Sequence, residues 1–196
     1  MSKAERTKNF IVEQTAPVFN RKGFSGTSMS DVMAATGLSK GAIYGNFKSK
    51  DEVALAAFDY NMGQIFETIS GMMSVHTSPL EKLKVFPAFY REIFKRKYFK
   101  LGCPIVNTAP EADDTHDQMK AKVNGAISKW YDTITKLVEE GKERNEINPT
   151  ADASQIAAIM ITQIEGGIMI AKSTGELRFF NVALDQIDEL IEKILA

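Results

Sequence analysis

The residue types best able to bind a polyanion lie between positions 36 and 50 of the chain. Thr36-Gly37-Leu38 indicates a turn, and Ser39 is a residue type that caps the first turn of a helix. Small side chains at a helix start let the backbone approach DNA closely, and lysines bind phosphate with release of counterions. The residues expected on the exposed side of this segment are Ser39, Lys40, Gly41, Ala42, Tyr44, Asn46 and Lys48.

The charge of the chain is distributed unevenly. Residues 1–50 carry eight Lys and Arg against three Asp and Glu, a net charge of +5, whereas residues 51–196 carry sixteen against twenty-two, a net charge of −6. This asymmetry favours an anionic partner for the N-terminal part alone. A chance fluctuation of surface charge is the alternative.

The sequence gives little support for a catalytic or metal-binding function. The sequence has no G-x-S-x-G elbow, Walker loop, H-E-x-x-H or G-x-G-x-x-G pattern, which argues against the common hydrolase, nucleotide-binding and zinc-protease classes. A single cysteine, Cys103, with His76 and His116, favours neither a metal site nor a cofactor. We therefore assign no catalytic residue, and an all-α thiol-dependent enzyme is the alternative.

The composition is typical of a soluble globular protein, with 44% hydrophobic and 25% charged residues. The N-terminal segment lacks the apolar stretch of a signal peptide, and no window holds about 18 uncharged apolar residues. We therefore expect a reduced, cytoplasmic protein without a membrane span.

Helical spacing of apolar residues extends over almost the whole chain, while strand signals are weak. The pattern predicts an all-α fold of about nine helices. Ser28 and Asp31 form a capping-box pattern, so a helix over about 28–36, the turn and the segment from Ser39 would make a helix-turn-helix. An αα-hairpin that only covers a helical bundle is the alternative. The stretch Lys100–Asp117, with Gly102 and two prolines, is predicted to be loop-rich.

A first helix is predicted over about Lys3–Lys22. Gly23 should end it in the left-handed conformation, which glycine adopts without steric cost. Pro17 should bend it, because proline removes one backbone hydrogen bond.

The run from Gly23 to Val53, GFSGTSMSDVMAATGLSKGAIYGNFKSKDEV, resembles the DNA-binding domain of TetR-family repressors. It is similar to the family pattern G-F-x-x-T-[ST]-[hydrophobic]-x-D-I-A-x-x-x-G-[hydrophobic]-S-x-G-x-[hydrophobic]-Y-x-x-F-x-[ST]-K-x-x-L, without gaps, and the likeness covers roughly residues 5–55. Asn46 replaces a frequent histidine, and Gly45 replaces a larger side chain. The resemblance implies a helix-turn-helix domain over 1–50, a ligand-binding and dimerisation domain over 51–196, and a repressor that a ligand releases from a palindromic operator.

The same resemblance implies individual roles. Ser28, Lys48 and Lys50 should contact phosphate, and Tyr44 should meet the DNA backbone. Asn46 should touch a base edge or a phosphate. Four residues should open onto the major groove: Ser39, Lys40, Gly41 and Ala42. The small core of the domain should be formed by Phe24, Val32, Leu38, Ile43 and Phe47. For Tyr44 a packing role is the alternative, and a protein-binding adaptor is the alternative for the domain.

The last two predicted helices carry more apolar surface than one helical body needs. A homodimer with a four-helix contact would bury it. The candidate interface residues are Ile156, Met160, Gln163, Gly167, Phe180, Leu184, Ile187 and Ile191. For each of them a place in the core of a single chain is equally consistent with the pattern.

A small-molecule effector would bind between helices of the second domain, in a pocket drawn from aromatic and sulfur-containing side chains. The candidates are Phe66, Phe86, Phe89, Tyr90, Phe94, Cys103, Trp130, Tyr131 and Met169. Such residues also fill ordinary cores, which is the alternative.

Gly102-Cys103-Pro104 with Asn107 resembles a Gly-Cys-containing segment in one branch of TetR-like repressors, in which the cysteine can sense oxidants or electrophiles. The matching lysine on the penultimate helix would be Lys172. A buried structural cysteine at a helix start is the alternative that we favour, because free cysteines are among the most buried residues.

Overall fold

The computed structural model describes residues 2–96 and 101–195, without the side chains of 94–96. This part of the chain is helical, and its single β-bridge joins Ile147 to Leu195. The all-α prediction is confirmed. The helices are α1 (Lys3–Gly26), α2 (Met29–Thr36), α3 (Lys40–Tyr44), α4 (Lys50–Met73), α5 (Pro79–Arg96), α6 (Pro104–Ala112), α7 (Asp117–Glu143), α8 (Ala153–Thr174) and α9 (Arg178–Lys193).

The helix containing residues 104–112 lies inside the stretch that the sequence predicted as loop-rich. Pro104 occupies the first helical position, where its missing N–H costs no hydrogen bond and its fixed φ suits the helix. The helix is nine residues long and packs against α1. Its stability therefore comes from tertiary contacts, which a short apolar pattern does not reveal.

The helices form two compact units. Unit 1 contains Met1–Ile65 with Cys103–Asn124, and unit 2 contains Phe66–Gly102 with Gly125–Ala196. Unit 1 therefore joins two separate stretches of sequence. The division of function at residue 50 stays a prediction.

The core of unit 2 is dominated by the packing of α8 on α9. Gly167 permits close approach, since a Cβ there would lie only 3.0 Å from both Phe180 Cδ2 and Ala183 Cβ. Seven of the eight predicted interface residues are buried in this core within a single chain: Ile156, Met160, Gly167, Phe180, Leu184, Ile187 and Ile191. Their burial within one chain agrees with the alternative of an intramolecular core, and their place at an interface stays a prediction. Gln163 is exposed.

Leu184→Ala is expected to lower the free energy of unfolding by about 2–5 kcal/mol, because it leaves a cavity where the side chain is completely buried. Urea denaturation followed by circular dichroism measures the change. Val75→Ala is the control, since Val75 is 79% exposed and its truncation should cost less than about 0.5 kcal/mol. Equal losses in both variants would contradict the placement of Leu184.

Among the described residues, α8 is long and apolar enough to cross a membrane by length and composition. We had expected the composition to exclude a membrane span, but composition alone does not exclude one at α8. Nine residues of α8 are buried, however, and the helix packs on α9. This burial within unit 2 is typical of a core helix.

Candidate nucleic-acid interface

The helix-turn-helix of unit 1 is built by local hydrogen bonds. Ser28 Oγ accepts from the N–H of Asp31 at 3.1 Å, and Asp31 Oδ2 accepts from the N–H of Ser28 at 2.9 Å. Gly37 ends α2 with a φ of 68°, and Ser39 Oγ caps α3 by accepting from Ala42 N at 3.2 Å. These are the caps and the turn that the sequence predicts.

Asp31 also joins α2 to the end of α1. Lys22 Nζ lies 2.5 Å from Asp31 Oδ1, and this hydrogen bond holds the pKa of the Asp31 carboxyl well below its usual range. The hydroxyl of Ser28 donates to Asp31 at 2.8 Å. In this structure Ser28 therefore serves the cap, and its phosphate contact stays a prediction.

Ile43 anchors α3 in unit 1, since its side chain is completely buried. Val32 and Phe47 are buried with it, while Phe24 and Leu38 are half-buried. The predicted small core is thus present. Because one face of α3 is fixed inward, the opposite face must be exposed.

Most of the predicted DNA-facing residues are exposed. Ser28, Ser39, Lys40, Gly41, Ala42, Tyr44 and Lys48 are exposed. The ammonium of Lys40 lies 5.8 Å from the centre of the Tyr44 ring. Asn46 is half-buried, and its Nδ2 donates to the carbonyl of Ala42 at 2.9 Å. The Asn46 amide thus supports the end of α3.

Lys50 is half-buried and engaged within unit 1. Its Nζ donates to the carbonyls of Phe24 and Thr27, each at 2.9 Å, and lies 4.4 Å from the centre of the Phe24 ring. The lysine therefore satisfies carbonyls at the end of α1. Its contact with phosphate stays a prediction.

Glu52 is a supporting residue that the sequence analysis did not assign to the site. Its carboxylate accepts from the backbone N–H of Lys48 at 2.7 Å and lies 3.5 Å from Lys8 Nζ. The Lys48 N–H is the main cause that lowers the pKa of Glu52. Glu52 therefore fixes the backbone that carries Lys48. The available signal was its place three residues after Ser49, whose Oγ accepts from the N–H of Glu52 at 3.2 Å.

The predicted effector residues fall into several places. Phe86, Tyr90 and Trp130 stack in unit 2, with the Trp130 ring centre 5.8 Å from Tyr90 and 6.3 Å from Phe86. Phe89 and Phe180 contact Tyr90 edge-on at 5.0 and 6.4 Å. The buried Nε1 of Trp130 has no hydrogen-bond partner among the described residues.

The other effector candidates are dispersed. Met169 is 51% exposed, and Phe66 and Tyr131 are half-buried, with Lys129 Nζ 4.5 Å from the Phe66 ring centre. The side chain of Phe94 lies outside the described residues. Cys103 belongs to unit 1, where it is buried just before α6. Burial of this cysteine agrees with the alternative that we favoured.

Lys172, the lysine predicted to match the cysteine segment, lies in unit 2. Its Nζ donates to the carbonyl of Leu101 at 3.4 Å. Burial lowers the pKa of its ammonium, because desolvation disfavours the charged form. Its assignment as a partner of the cysteine stays a prediction.

Two family models match the chain. "Bacterial regulatory proteins, tetR family" matches residues 11–57, which include the helix-turn-helix, and "Tetracyclin repressor-like, C-terminal domain" matches residues 79–187. The second model alone spans more than half of the sequence.

Similar proteins agree with these models. The structure of a TetR-family transcriptional regulator from Cytophaga hutchinsonii has a TM-score of 0.91 at 37% identity, covering 100% of this chain and 98% of that one. An HTH-type regulator from the lacX 3′ region of Lactococcus lactis is 27% identical over 96% of this chain and 94% of its own. The HTH-type transcriptional repressor DhaR of Mycobacterium sp. is 24% identical over 84% and 82%. The chain therefore belongs to the TetR family and is a DNA-binding transcriptional regulator.

Proposed function

We propose that the protein is a repressor that binds a palindromic operator as a homodimer and leaves it when a small molecule binds unit 2. The DNA contact is proposed from one observation: α3 has an exposed face, with Lys40 and Tyr44 opposite the buried Ile43. The second helix of a helix-turn-helix enters the major groove with such a face. The name of DhaR supports repression.

The dimer surface is proposed on the outer faces of α8 and α9. Large apolar side chains are exposed there: Met169, Ile170, Phe179 and Val182. We propose these exposed residues for the dimer interface in place of the buried candidates that the sequence had suggested. A two-fold axis through this surface would present two helix-turn-helix units to two half-sites.

The effector is proposed to bind beside the aromatic cluster of Phe86, Tyr90 and Trp130. Aromatic walls favour a small, largely apolar molecule. Nε1 of Trp130, which has no partner within the described part of the chain, suits a molecule that carries a hydrogen-bond acceptor. The burial of Cys103 supports non-covalent binding over thiol chemistry. We propose that the protein works in the cytoplasm and without catalysis.

Footprinting on the DNA upstream of its own gene tests the proposed function. A protected palindrome would support a dimeric repressor and would supply the operator used below. Equal, weak affinity for every duplex would contradict the proposal.

Lys48→Ala is expected to weaken operator binding and to flatten its salt dependence. One lost phosphate contact lowers the slope of log affinity against log salt by about 0.9 per protomer. Fluorescence anisotropy over a salt series measures the slope. Lys136→Ala is the control, because Lys136 is a highly exposed lysine of unit 2. An unchanged slope for Lys48→Ala would exclude it as a phosphate contact.

A further inference from the structure

Helix α1 is broken at Gly23, one turn before its end. Gly23 has φ 75° and ψ 175°, so the peptide that follows it is turned out of the helical orientation. In a continuous helix the N–H of Phe24 would donate to the carbonyl of Asn20. Here that N–H donates to Glu111 Oε2 of α6 at 2.6 Å.

The other half of the broken pair is also bonded by α6. Asn107 Nδ2 lies 2.9 Å from the carbonyl of Asn20 and 2.8 Å from Asn20 Oδ1. Asn107 and Glu111 are four residues apart, so they project from one face of α6. Helix α6 thus pairs both groups of the backbone hydrogen bond that the break removes. Asn107 donates to the carbonyl of Asn20, and Glu111 accepts from the N–H of Phe24.

Glycine is required at position 23 by this arrangement. A Cβ there would overlap the carboxylate of Glu111, with the Glu111 Cδ at 2.7 Å, and the positive φ would strain any L side chain. The residues after the break are held as well. Thr27 Oγ1 donates to the Gly23 carbonyl at 2.6 Å, and the Phe24 ring lies 5.1 Å from His116.

Two arrangements of α1 therefore satisfy the same backbone groups. With α6 bound, the N–H of Phe24 and the carbonyl of Asn20 are paired with side chains. With α6 released, they can pair with each other in a continuous helix. Neither state leaves these groups unpaired, and the net contribution of one hydrogen bond is small. An exchange between two such packings makes a two-state element.

We propose that Asn107 and Glu111 are positioning residues for DNA recognition, which hold α1 in its broken form and thereby fix the direction in which α2 and α3 leave it. Because α2 begins three residues after α1 ends, a continuous α1 turns the helix-turn-helix away from its DNA-binding orientation. The position of α6 sets operator affinity because it decides whether Asn20 and Phe24 bond to Asn107 and Glu111 or to each other.

A double-mutant cycle on the full-length protein tests the proposal. Gly23→Ala favours a continuous α1 and crowds Glu111, and Glu111→Ala removes the acceptor for Phe24. Each is expected to lower operator affinity about tenfold with helical content retained. Either single change is expected to shift α1 fully to the continuous form, so the double variant should bind no more weakly than the weaker single variant. Additive losses, or unchanged affinity in Glu111→Ala, would overturn the proposal.

Hydrogen exchange at the Phe24 amide separates this role from a merely structural one. In Glu111→Ala the amide should stay protected, since the Asn20 carbonyl accepts it in the continuous helix. Fast exchange of this amide in the folded variant would mean that α1 frays, and would contradict the proposal.

Two controls complete the experiment. Glu111→Gln keeps an acceptor oxygen and should bind within about threefold of the wild type. Gly63→Ala changes a glycine of unit 1 that has open space around it, and should leave affinity unchanged. If Gly23→Ala does not fold, the cycle of Asn107→Ala with Glu111→Ala replaces it, with the same non-additive result expected and additivity again contradicting the proposal.

Discussion

Tyr44→Ala is expected to lower operator affinity about tenfold or more while helical content and melting temperature stay unchanged. Tyr44 is the last residue of α3 and is 42% exposed, so its removal opens no cavity. Its phenol can hydrogen-bond the DNA backbone, and its ring lies near the ammonium of Lys40. Loss of one such contact in each half of a dimer accounts for this reduction. Fluorescence anisotropy with the protected operator measures it.

Phe10→Ala is a closely matched control for this prediction. Phe10 also belongs to unit 1 and is also 42% exposed, but it lies on α1. Its truncation should change operator affinity less than twofold. Similar losses in the two variants would show that exposed aromatic surface, and not the position on α3, determines binding.

Val182→Glu is expected to produce a folded monomer and to lower operator affinity about a hundredfold. Val182 is 60% exposed beside Phe179 on the outer face of α9, so the new carboxylate is solvated in the monomer. In a dimer it would be buried without a partner, which is costly. A monomer reaches only one half-site, so the energy of the second is lost. Light scattering measures the mass, and anisotropy measures the affinity.

Val75→Glu provides the control, because Val75 is a highly exposed valine of unit 2 outside the proposed surface. It should remain dimeric and bind the operator normally. A dimeric Val182→Glu protein would place the interface elsewhere. A charge at Leu184 or Ile187 would not make this test, because both side chains are in the core of one chain.

The helix-turn-helix could be predicted because its signals are local. Ser28 and Asp31 cap one another across three residues, Gly37 adopts the left-handed turn, and Ser39 caps α3. Each of these bonds depends on the order of a few neighbouring residues. Local capping rules therefore predicted both the elements and the exposed face of α3.

The interface could not be separated from the core by sequence pattern alone. Leu184 and Ile187 repeat with helical spacing, but that spacing shows only that one face is buried. It does not show whether the covering surface belongs to the same chain. The structure shows that α8 covers α9 within one chain, so the proposed partner would meet the other side.

The contact between α6 and α1 could not be predicted from the sequence for a different reason. Glu111 bonds Phe24 across 87 positions, and Asn107 bonds Asn20 across the same separation. Glu111 carries no motif, Asn107 was noted only with the cysteine segment, and the sequence predicted a loop there. Gly23 was predicted correctly as left-handed, yet its partner is visible only in three dimensions.

The discontinuity of unit 1 has a consequence for building hybrid regulators. A chimera that takes residues 1–65 from this protein and the remainder from a relative would separate Gly23 and Phe24 from the Asn107 and Glu111 with which they are bonded. On the proposed role of Asn107 and Glu111, the DNA specificity of this protein cannot be transferred with the N-terminal residues alone. The chimera would also have to include the segment Cys103–Asn124. Otherwise the recipient must already have an amide and a carboxylate at the positions that correspond to Asn107 and Glu111.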